Sequence, residues 1–183
     1  SDRSEVVAMA QAIQSRWSGL EVVVNNAATT HFIGLGDLDE VTDEVWDQIL
    51  SVNLKGAFWV AQQMVPLMEG RPSAAIVNVA SMAGVTGAGS CLPYAASKGA
   101  MMTMTKSLAR GLAPQVRVNA VCPGVIESRW LKEHPEMIEG AMKVTPLGRP
   151  SMPEDVAEAV VYLACDAKMM TGQMLQMDGG RTI

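Results

Sequence analysis

Four short, mostly apolar segments, separated from one another by sequence of helical period, constrain the fold of this chain more than any other feature. Near-continuous apolar strands alternating with helices are typical of a parallel sheet that is covered on both faces. The sequence therefore predicts a doubly wound α/β fold, similar to the Rossmann fold, in one domain over residues 1–183. The predicted strands are residues 20–25, 74–80, 116–121 and 173–177.

The intervening helices are predicted from apolar residues recurring at helical spacing. A box formed by Ser151 and Glu154 is expected to cap the start of the last helix. The predicted helices are residues 1–17, 41–68, 94–112, 135–144 and a final one ending at residue 164.

The composition excludes several classes of protein. The chain has 183 residues, of which 49% are hydrophobic and 18% charged, and a net charge of −5. This hydrophobic content argues against disorder, and the negative charge argues against a nucleic-acid partner. No apolar run reaches the ~18 residues that a membrane helix needs, so no membrane partner is expected.

Further patterns are missing from the sequence. The N-terminal residues do not resemble a signal peptide, and the three cysteines, which lie far apart, predict buried free thiols in a reducing, cytoplasmic compartment. No metal-ligand motif and no nucleophile motif is found, so neither a metal site nor a serine–histidine hydrolase is expected.

Candidate chemistry lies just beyond the predicted strands, where ligands bind to sheets of this kind. Tyr94 and Lys98 share one helix face, and an ammonium beside a phenol lowers the pKa of the phenol, which would make Tyr94 a general acid/base. The alternative is that Tyr94 and Lys98 are two surface side chains without a catalytic role. Ser81 directly follows the second strand and could donate to a substrate carbonyl, or could satisfy turn backbone.

Asn53 lies in the apolar stripe of its helix, where a buried amide must find partners. Those partners could be structural hydrogen bonds or a water at the site. Two further loops follow strands. Asn25 begins the first loop, and Gly124 in the second permits close approach of the backbone to a ligand.

Taken together, these segments resemble the short-chain dehydrogenases/reductases, in particular members similar to 3-oxoacyl-carrier-protein reductases. The resemblance covers almost the whole chain. It is carried by NNAA at residues 25–28, SVNLKG at 51–56, IVNVAS ending at Ser81, YAASK at 94–98, VRVNAVCPGVIES at 116–128 and TGQMLQMDGG at 171–180. Two residues depart from the usual pattern, because Ala28 stands where the family has Gly and Ser128 where it has Thr.

The resemblance implies an oxidoreductase that transfers hydride between NAD or NADP and a small carbonyl or secondary alcohol. Tyr94 would be the general acid/base, Ser81 would polarise the carbonyl, Lys98 would bind the nicotinamide ribose and Asn53 would hold a relay water. The implied cofactor contacts are Asn25, Ala27, Ala28, Tyr94, Lys98, Pro123, Gly124, Val125, Ile126 and Ser128.

The family's glycine-rich TGxxxGxG loop is absent from this chain, and so are the first strands of its dinucleotide-binding half. We expect an upstream segment to be missing from the sequence, since the first strand would otherwise form a bare apolar edge. The alternatives are a truncated, cofactor-less scaffold that acts by association, and an epimerase or lyase on the same fold.

Two expectations concern regions outside this chemistry. Residues 129–149 are expected to form a mobile substrate lid, since a long connection with its own helix is typically functional. Apolar residues on more than one face of the two long helices predict a homo-oligomer, and the resemblance implies a homotetramer.

Overall fold

A computed structural model describes residues 2–183 and contains one sheet of four parallel strands in the order β1-β2-β3-β4. This confirms the predicted α/β fold with a parallel sheet. All four strands end at the same edge of the sheet, because they run in one direction. The strands are β1 (Val22–Asn25), β2 (Ala75–Val79), β3 (Arg117–Pro123) and β4 (Met174–Met177).

Seven α-helices connect or precede these strands in the described residues. The predicted helix over residues 135–144 is found with those bounds, and the helix predicted from residue 94 begins two residues earlier. The helices are α1 (Arg3–Arg16), α2 (Asp43–Leu50), α3 (Ala57–Met64), α4 (Ala83–Thr86), α5 (Leu92–Leu112), α6 (Pro135–Val144) and α7 (Pro153–Val161).

The sheet has a hydrophobic core on each face. Ile76 and Val118 point to one face, where they pack with residues of α1, α3 and α5. Val77 and Val121 point to the opposite face and pack with α7. Successive residues of a strand point to opposite faces, so the near-continuous apolar sequence of β2 and β3 supplies both cores.

The long helix predicted over residues 41–68 is one continuous helical path with a change of geometry in the middle. It begins after Thr42, whose hydroxyl accepts a hydrogen bond from the Val45 amide, and it widens to π-helical geometry over Ser51–Gly56. Such widened turns are rare and occur frequently at functional sites. Asn53 lies in this widened turn.

The start of α7 differs from the prediction. The capping residue is Met152 and not Ser151, and the returning side chain is Asp155 and not Glu154. The Asp155 carboxylate accepts a hydrogen bond of 2.7 Å from the Met152 amide and also pairs with Arg149. The helix start is therefore displaced by one residue, with Pro153 at the first helical position, where a missing amide hydrogen costs nothing. Only the returning half of a capping box is formed, since the Met152 side chain makes no capping hydrogen bond.

Strand β1 pairs only with β2 among residues 2–183, and Val24 is 43% exposed. The apolar edge expected from the sequence is thus present. Cys91 and Cys122 are buried free thiols as predicted, but Cys165 is exposed, which corrects that expectation. Across residues 2–183, we find no helix with the length and apolar character needed to span a bilayer.

Candidate active site

A cleft of about 490 Å³ opens at the carboxyl edge of the sheet. Its inner wall is formed by residues that follow β2 and by the start of α5, and its floor by the turn that follows β3. Of the residues singled out in the sequence, the structure brings Ser81, Tyr94, Pro123, Gly124, Val125, Ile126 and Ser128 together around this cleft.

Ser81 and Tyr94 both line the inner wall. Burial raises the pKa of the Tyr94 phenol above its ordinary value, and a hydrogen bond with Ser81 opposes that shift. The Ser81 hydroxyl also accepts a hydrogen bond of 3.1 Å from the Ala83 amide. The phenol therefore stays protonated at neutral pH and has a proton to donate.

Lys98 lies behind Tyr94 and is only 2% exposed. Its ammonium group donates a 2.7 Å hydrogen bond to the carbonyl oxygen of Val79 and lies 5.6 Å from the centre of the Tyr94 ring. Burial lowers the pKa of Lys98 to about 8, against the opposing effect of the Cys122 thiol.

The expectation that Lys98 lowers the pKa of Tyr94 is wrong for this structure. Burial of the Tyr94 phenol is the largest influence and raises its pKa, and the opposing contribution comes from Ser81. The physical reason is that desolvation penalises the phenolate more than this hydrogen bond favours it.

Asn53 is fully buried and joins two elements behind the cleft. Its side-chain oxygen accepts a hydrogen bond from the Thr29 amide, and its side-chain nitrogen donates to the Thr29 carbonyl and to the Ser97 hydroxyl. Ser97 in turn donates to the Tyr94 carbonyl at 2.7 Å. The Asn53 side chain thus forms structural hydrogen bonds, and its expected role in holding a relay water stays a prediction.

The Asn25 side chain faces the core and does not line the cleft, and its expected cofactor contact stays a prediction. Its side-chain nitrogen donates to Asn78 at 2.8 Å and to the Ala57 carbonyl at 3.5 Å. Ala27 is exposed and Ala28 half-buried, and neither lines the cleft. Asn25 lies at a buried strand position, where a polar side chain needs a hydrogen-bond partner. Asn78 on β2 provides that partner.

The turn after β3 is held against the C-terminal segment. The Gly124 amide donates to the Met177 carbonyl at 2.9 Å, and a Cβ atom on Gly124 would lie 3.1 Å from Asp178 Cα. Glycine at position 124 thus allows the two backbones to approach. This contact brings the end of β4 to the floor of the cleft.

The outer wall comes from the segment predicted as a lid. Trp130, Leu131 and Met137 line the cleft. His134 in the same segment stacks on Phe32, with ring centres 3.8 Å apart, so two loops meet above the cleft. The mobility expected for residues 129–149 stays a prediction.

Phe32, Arg181 and Thr182 also line the cleft and were missed by the sequence reasoning. The sequence pattern could have indicated Arg181 and Thr182. Both follow the fourth predicted strand, and all parallel strands of a sheet end at the same edge.

Comparison with known proteins places this geometry in a family. Residues 1–182 match the family described as Enoyl-(Acyl carrier protein) reductase. The chain is 39% identical over 186 residues to a 3-oxoacyl-[acyl-carrier-protein] reductase, FabG, of Thermotoga maritima, with 100% of this chain and 74% of that protein covered.

Two solved structures have the same fold. A short-chain dehydrogenase/reductase of Brucella melitensis has a TM-score of 0.91 and 30% identity over 100% of this chain and 73% of its own. A gluconate 5-dehydrogenase of Burkholderia cenocepacia, in complex with NADP and tartrate, has a TM-score of 0.89 and 29% identity over 99% and 72%.

The chain therefore belongs to the short-chain dehydrogenase/reductase family, whose members are NAD(P)-dependent oxidoreductases. The family resemblance drawn from the sequence motifs is confirmed.

Proposed function

We propose that this protein transfers hydride between NAD(P) and a small carbonyl or secondary alcohol, with Tyr94 as the general acid/base. The observation that carries the proposal is that the side chains of Ser81 and Tyr94 line the same wall of the cleft. A carbonyl oxygen placed against this pair would meet two donors.

In the direction of reduction, the Tyr94 phenol gives its proton to the carbonyl oxygen while Ser81 donates a hydrogen bond to the same oxygen. When bound, NAD(P)H supplies the hydride to the carbonyl carbon. The raised pKa of Tyr94 supports this role, because a protonated phenol is the form that can donate. In oxidation the proton returns to the Tyr94 oxygen.

The residues present fit a nicotinamide nucleotide. The amides of Val125 and Ile126 donate no hydrogen bond to any other residue within 2–183, and the Ser128 hydroxyl lies nearby, so the turn offers free donors to a carboxamide. Pro123 and Gly124 complete this surface. Ala27 and Ala28 would contact the ribose side from the loop after β1.

Three buried side chains would support that cofactor site. Lys98, beside Tyr94, carries an ammonium group suited to the hydroxyls of a ribose. Asn25 and Asn53 hold the loop after β1 from behind, Asn25 through β2 and α3 and Asn53 through Thr29.

We also propose that the protein is a cytoplasmic homotetramer built from one α/β domain per subunit. Phe58 on α3 is 43% exposed, and Trp59, Met102 and Met104 are only partly buried. Helices that are apolar on a second face need a second partner. Sedimentation equilibrium tests the assembly, and a monomer at micromolar concentration would refute it.

Fluorescence titration of the full-length protein with NADPH and with NADH tests the function. We expect saturable binding of at least one nucleotide and its oxidation in the presence of a carbonyl substrate. Absence of binding to both nucleotides would refute the proposal and favour the scaffold alternative. Analysis of the product as an alcohol separates reduction from epimerase or lyase chemistry.

A further inference from the structure

The cleft has an apolar lining and a single cationic side chain. Phe32, Trp130, Leu131 and Met137 supply large apolar surfaces, whereas Arg181 is the one Lys or Arg among the described residues that line it. The chain has a net charge of −5, so a positive side chain in the cleft stands out. No step of the proposed hydride transfer involves Arg181.

Arg181 is presented by a turn that directly follows β4. Gly179 and Gly180 have φ angles of 64° and 87°, which favour glycine, and they reverse the chain toward the cleft. The Asp178 carboxylate accepts hydrogen bonds from the Gly180 amide, from the Thr182 amide and, at 2.6 Å, from the Thr182 hydroxyl. The position of Arg181 is therefore set by backbone and not by its own side chain.

The same turn is fastened to both the lid segment and the floor of the cleft. The Leu147 amide donates to the Gly179 carbonyl at 3.1 Å, and a Cβ atom on Gly179 would lie 2.5 Å from the Thr145 methyl group. The end of β4 also accepts the hydrogen bond from Gly124 that was described above. The backbone of Arg181 is consequently held at the cleft, while its exposed side chain is free to reach a substrate there.

The Arg181 guanidinium has no hydrogen bond and no ion pair with any other residue from 2 to 183. Two other arginines, Arg117 and Arg149, are engaged within the fold. Arg117 donates to three carbonyl oxygens at the end of the helical segment after α7, and Arg149 forms a bidentate pair with Asp155. Asp178, the carboxylate in the same turn, is occupied by the turn itself. The guanidinium thus remains available to an anionic ligand.

We propose that Arg181 determines substrate specificity by binding a carboxylate at the end of the substrate remote from the reacting carbon. The carbonyl or alcohol carbon lies at Ser81 and Tyr94, and an apolar spacer lies against Trp130. The substrate class is therefore an oxo acid or hydroxy acid with an aliphatic chain between its two polar groups. A guanidinium matches a carboxylate with two parallel hydrogen bonds. This inference rests on the proposed function of the same cleft.

The first experiment compares 7-oxooctanoate with its methyl ester as substrates of the full-length enzyme. Arg181→Gln is expected to raise KM for the acid about fivefold, the scale of one solvent-exposed charge pair, and to leave the ester within twofold. Arg181→Lys should retain most of the preference for the acid. Arg129→Gln removes the same charge from an exposed lid residue outside the cleft lining and is the matched control.

Added salt sharpens this experiment. Raising ionic strength to ~1 M shortens the screening length to about 3 Å, so the preference for the acid should shrink in the wild-type enzyme and stay absent in Arg181→Gln. An acid-to-ester ratio of kcat/KM that is the same in wild type and Arg181→Gln would overturn the inference while leaving the proposed function intact.

A binding measurement separates the two proposals. Calorimetric titration with octanoate and with octanamide needs no turnover. Binding of octanoate that is weakened in Arg181→Gln but not in Arg129→Gln supports the carboxylate site even if no carbonyl compound is reduced, in which case the proposed function alone fails. Equal binding of octanoate and octanamide to the wild-type protein would overturn the carboxylate site.

Discussion

The two walls of the cleft are built differently. The inner wall includes Ser81, which follows β2, and Tyr94 on α5, with Lys98 buried behind it. Ser81 and Lys98 are hydrogen-bonded to backbone. The outer wall consists of residues such as Trp130 and Arg181, which stand on connections and terminal turns. Reacting groups need fixed geometry, whereas recognition of different substrates is readily carried by loops.

The two walls also differ in the contacts that support them. The inner wall is held from behind by the Asn53–Ser97–Tyr94 chain of hydrogen bonds and by the core packing of α5. Above the cleft, the lid segment meets the opposite loop through the stacked rings of Phe32 and His134. We therefore expect changes in the inner wall to affect kcat, and changes in the outer wall to affect KM.

The largest effect is expected for Tyr94→Phe, which removes only the phenolic hydroxyl. Loss of a positioned general acid should lower kcat by about 100- to 10,000-fold. Cofactor affinity, measured by NADPH or NADH fluorescence, should change less than twofold. Tyr162→Phe is the matched control, because Tyr162 is the only other tyrosine and is exposed. Retention of a tenth of the activity in Tyr94→Phe would remove Tyr94 from the mechanism.

The next largest effect is expected for Asn25→Ala, and it should appear in stability. The substitution leaves the buried side-chain oxygen of Asn78 without its partner at 2.8 Å, a loss of about 2 kcal/mol in the free energy of unfolding. Urea unfolding measures this loss. The exposed neighbour provides the control Asn26→Ala, expected within about 0.5 kcal/mol of wild type. A stable Asn25→Ala with weakened cofactor binding would instead place Asn25 at the ligand.

A smaller effect is expected for Trp130→Ala in the outer wall. Removing its ring from the cleft should raise KM about tenfold, since ~1.4 kcal/mol of apolar contact is lost, with kcat changed less than threefold. Steady-state kinetics with the full-length enzyme measures both constants. Trp17→Ala, at an exposed site after α1, is the control. A fall in kcat at constant KM would contradict the expectation that the outer wall acts on substrate binding and the inner wall on catalysis.

The smallest effect concerns the burial of Lys98. Its pKa is about 8 in the folded chain and 10.5 as the ordinary value, so between these values the unfolded chain binds more protons. The free energy of unfolding should therefore rise with pH, by about 1 kcal/mol from pH 8 to 9. Well below pH 8, Lys98 is protonated in both the folded and the unfolded chain, and the full cost of burying its charge lowers the free energy of unfolding.

The pH range used for this test ends at pH 9. Burial raises the pKa of Cys122 from 9.0 to about 11, so above pH 9 deprotonation of this thiol in the unfolded chain lowers the free energy of unfolding. Urea midpoints at pH 8 and pH 9 should show the rise in wild type and in Lys106→Met, an exposed position on the same helix. The rise should be absent in Lys98→Met. An equal slope in all three proteins would contradict the buried ammonium.

The strands and the inner wall were predictable because they depend on local pattern. Apolar runs of strand length fixed the four parallel strands, and the motif positions of Ser81, Tyr94 and Lys98 pointed to one edge of the sheet. The displaced cap at Met152 and the widened turn around Asn53 were not predictable. Both depend on which backbone groups remain unpaired once the helices have packed.

By itself, the sequence determined the parallel α/β architecture and the family, because strand and helix periods and the ordered motifs are properties of neighbouring residues. Only the tertiary structure decided that Asn25 turns into the core toward Asn78, that burial raises the pKa of Tyr94, and that Arg181 reaches the rim of the cleft. Each of these depends on groups far apart in the chain, and desolvation and hydrogen bonding between such groups exist only after the chain has folded.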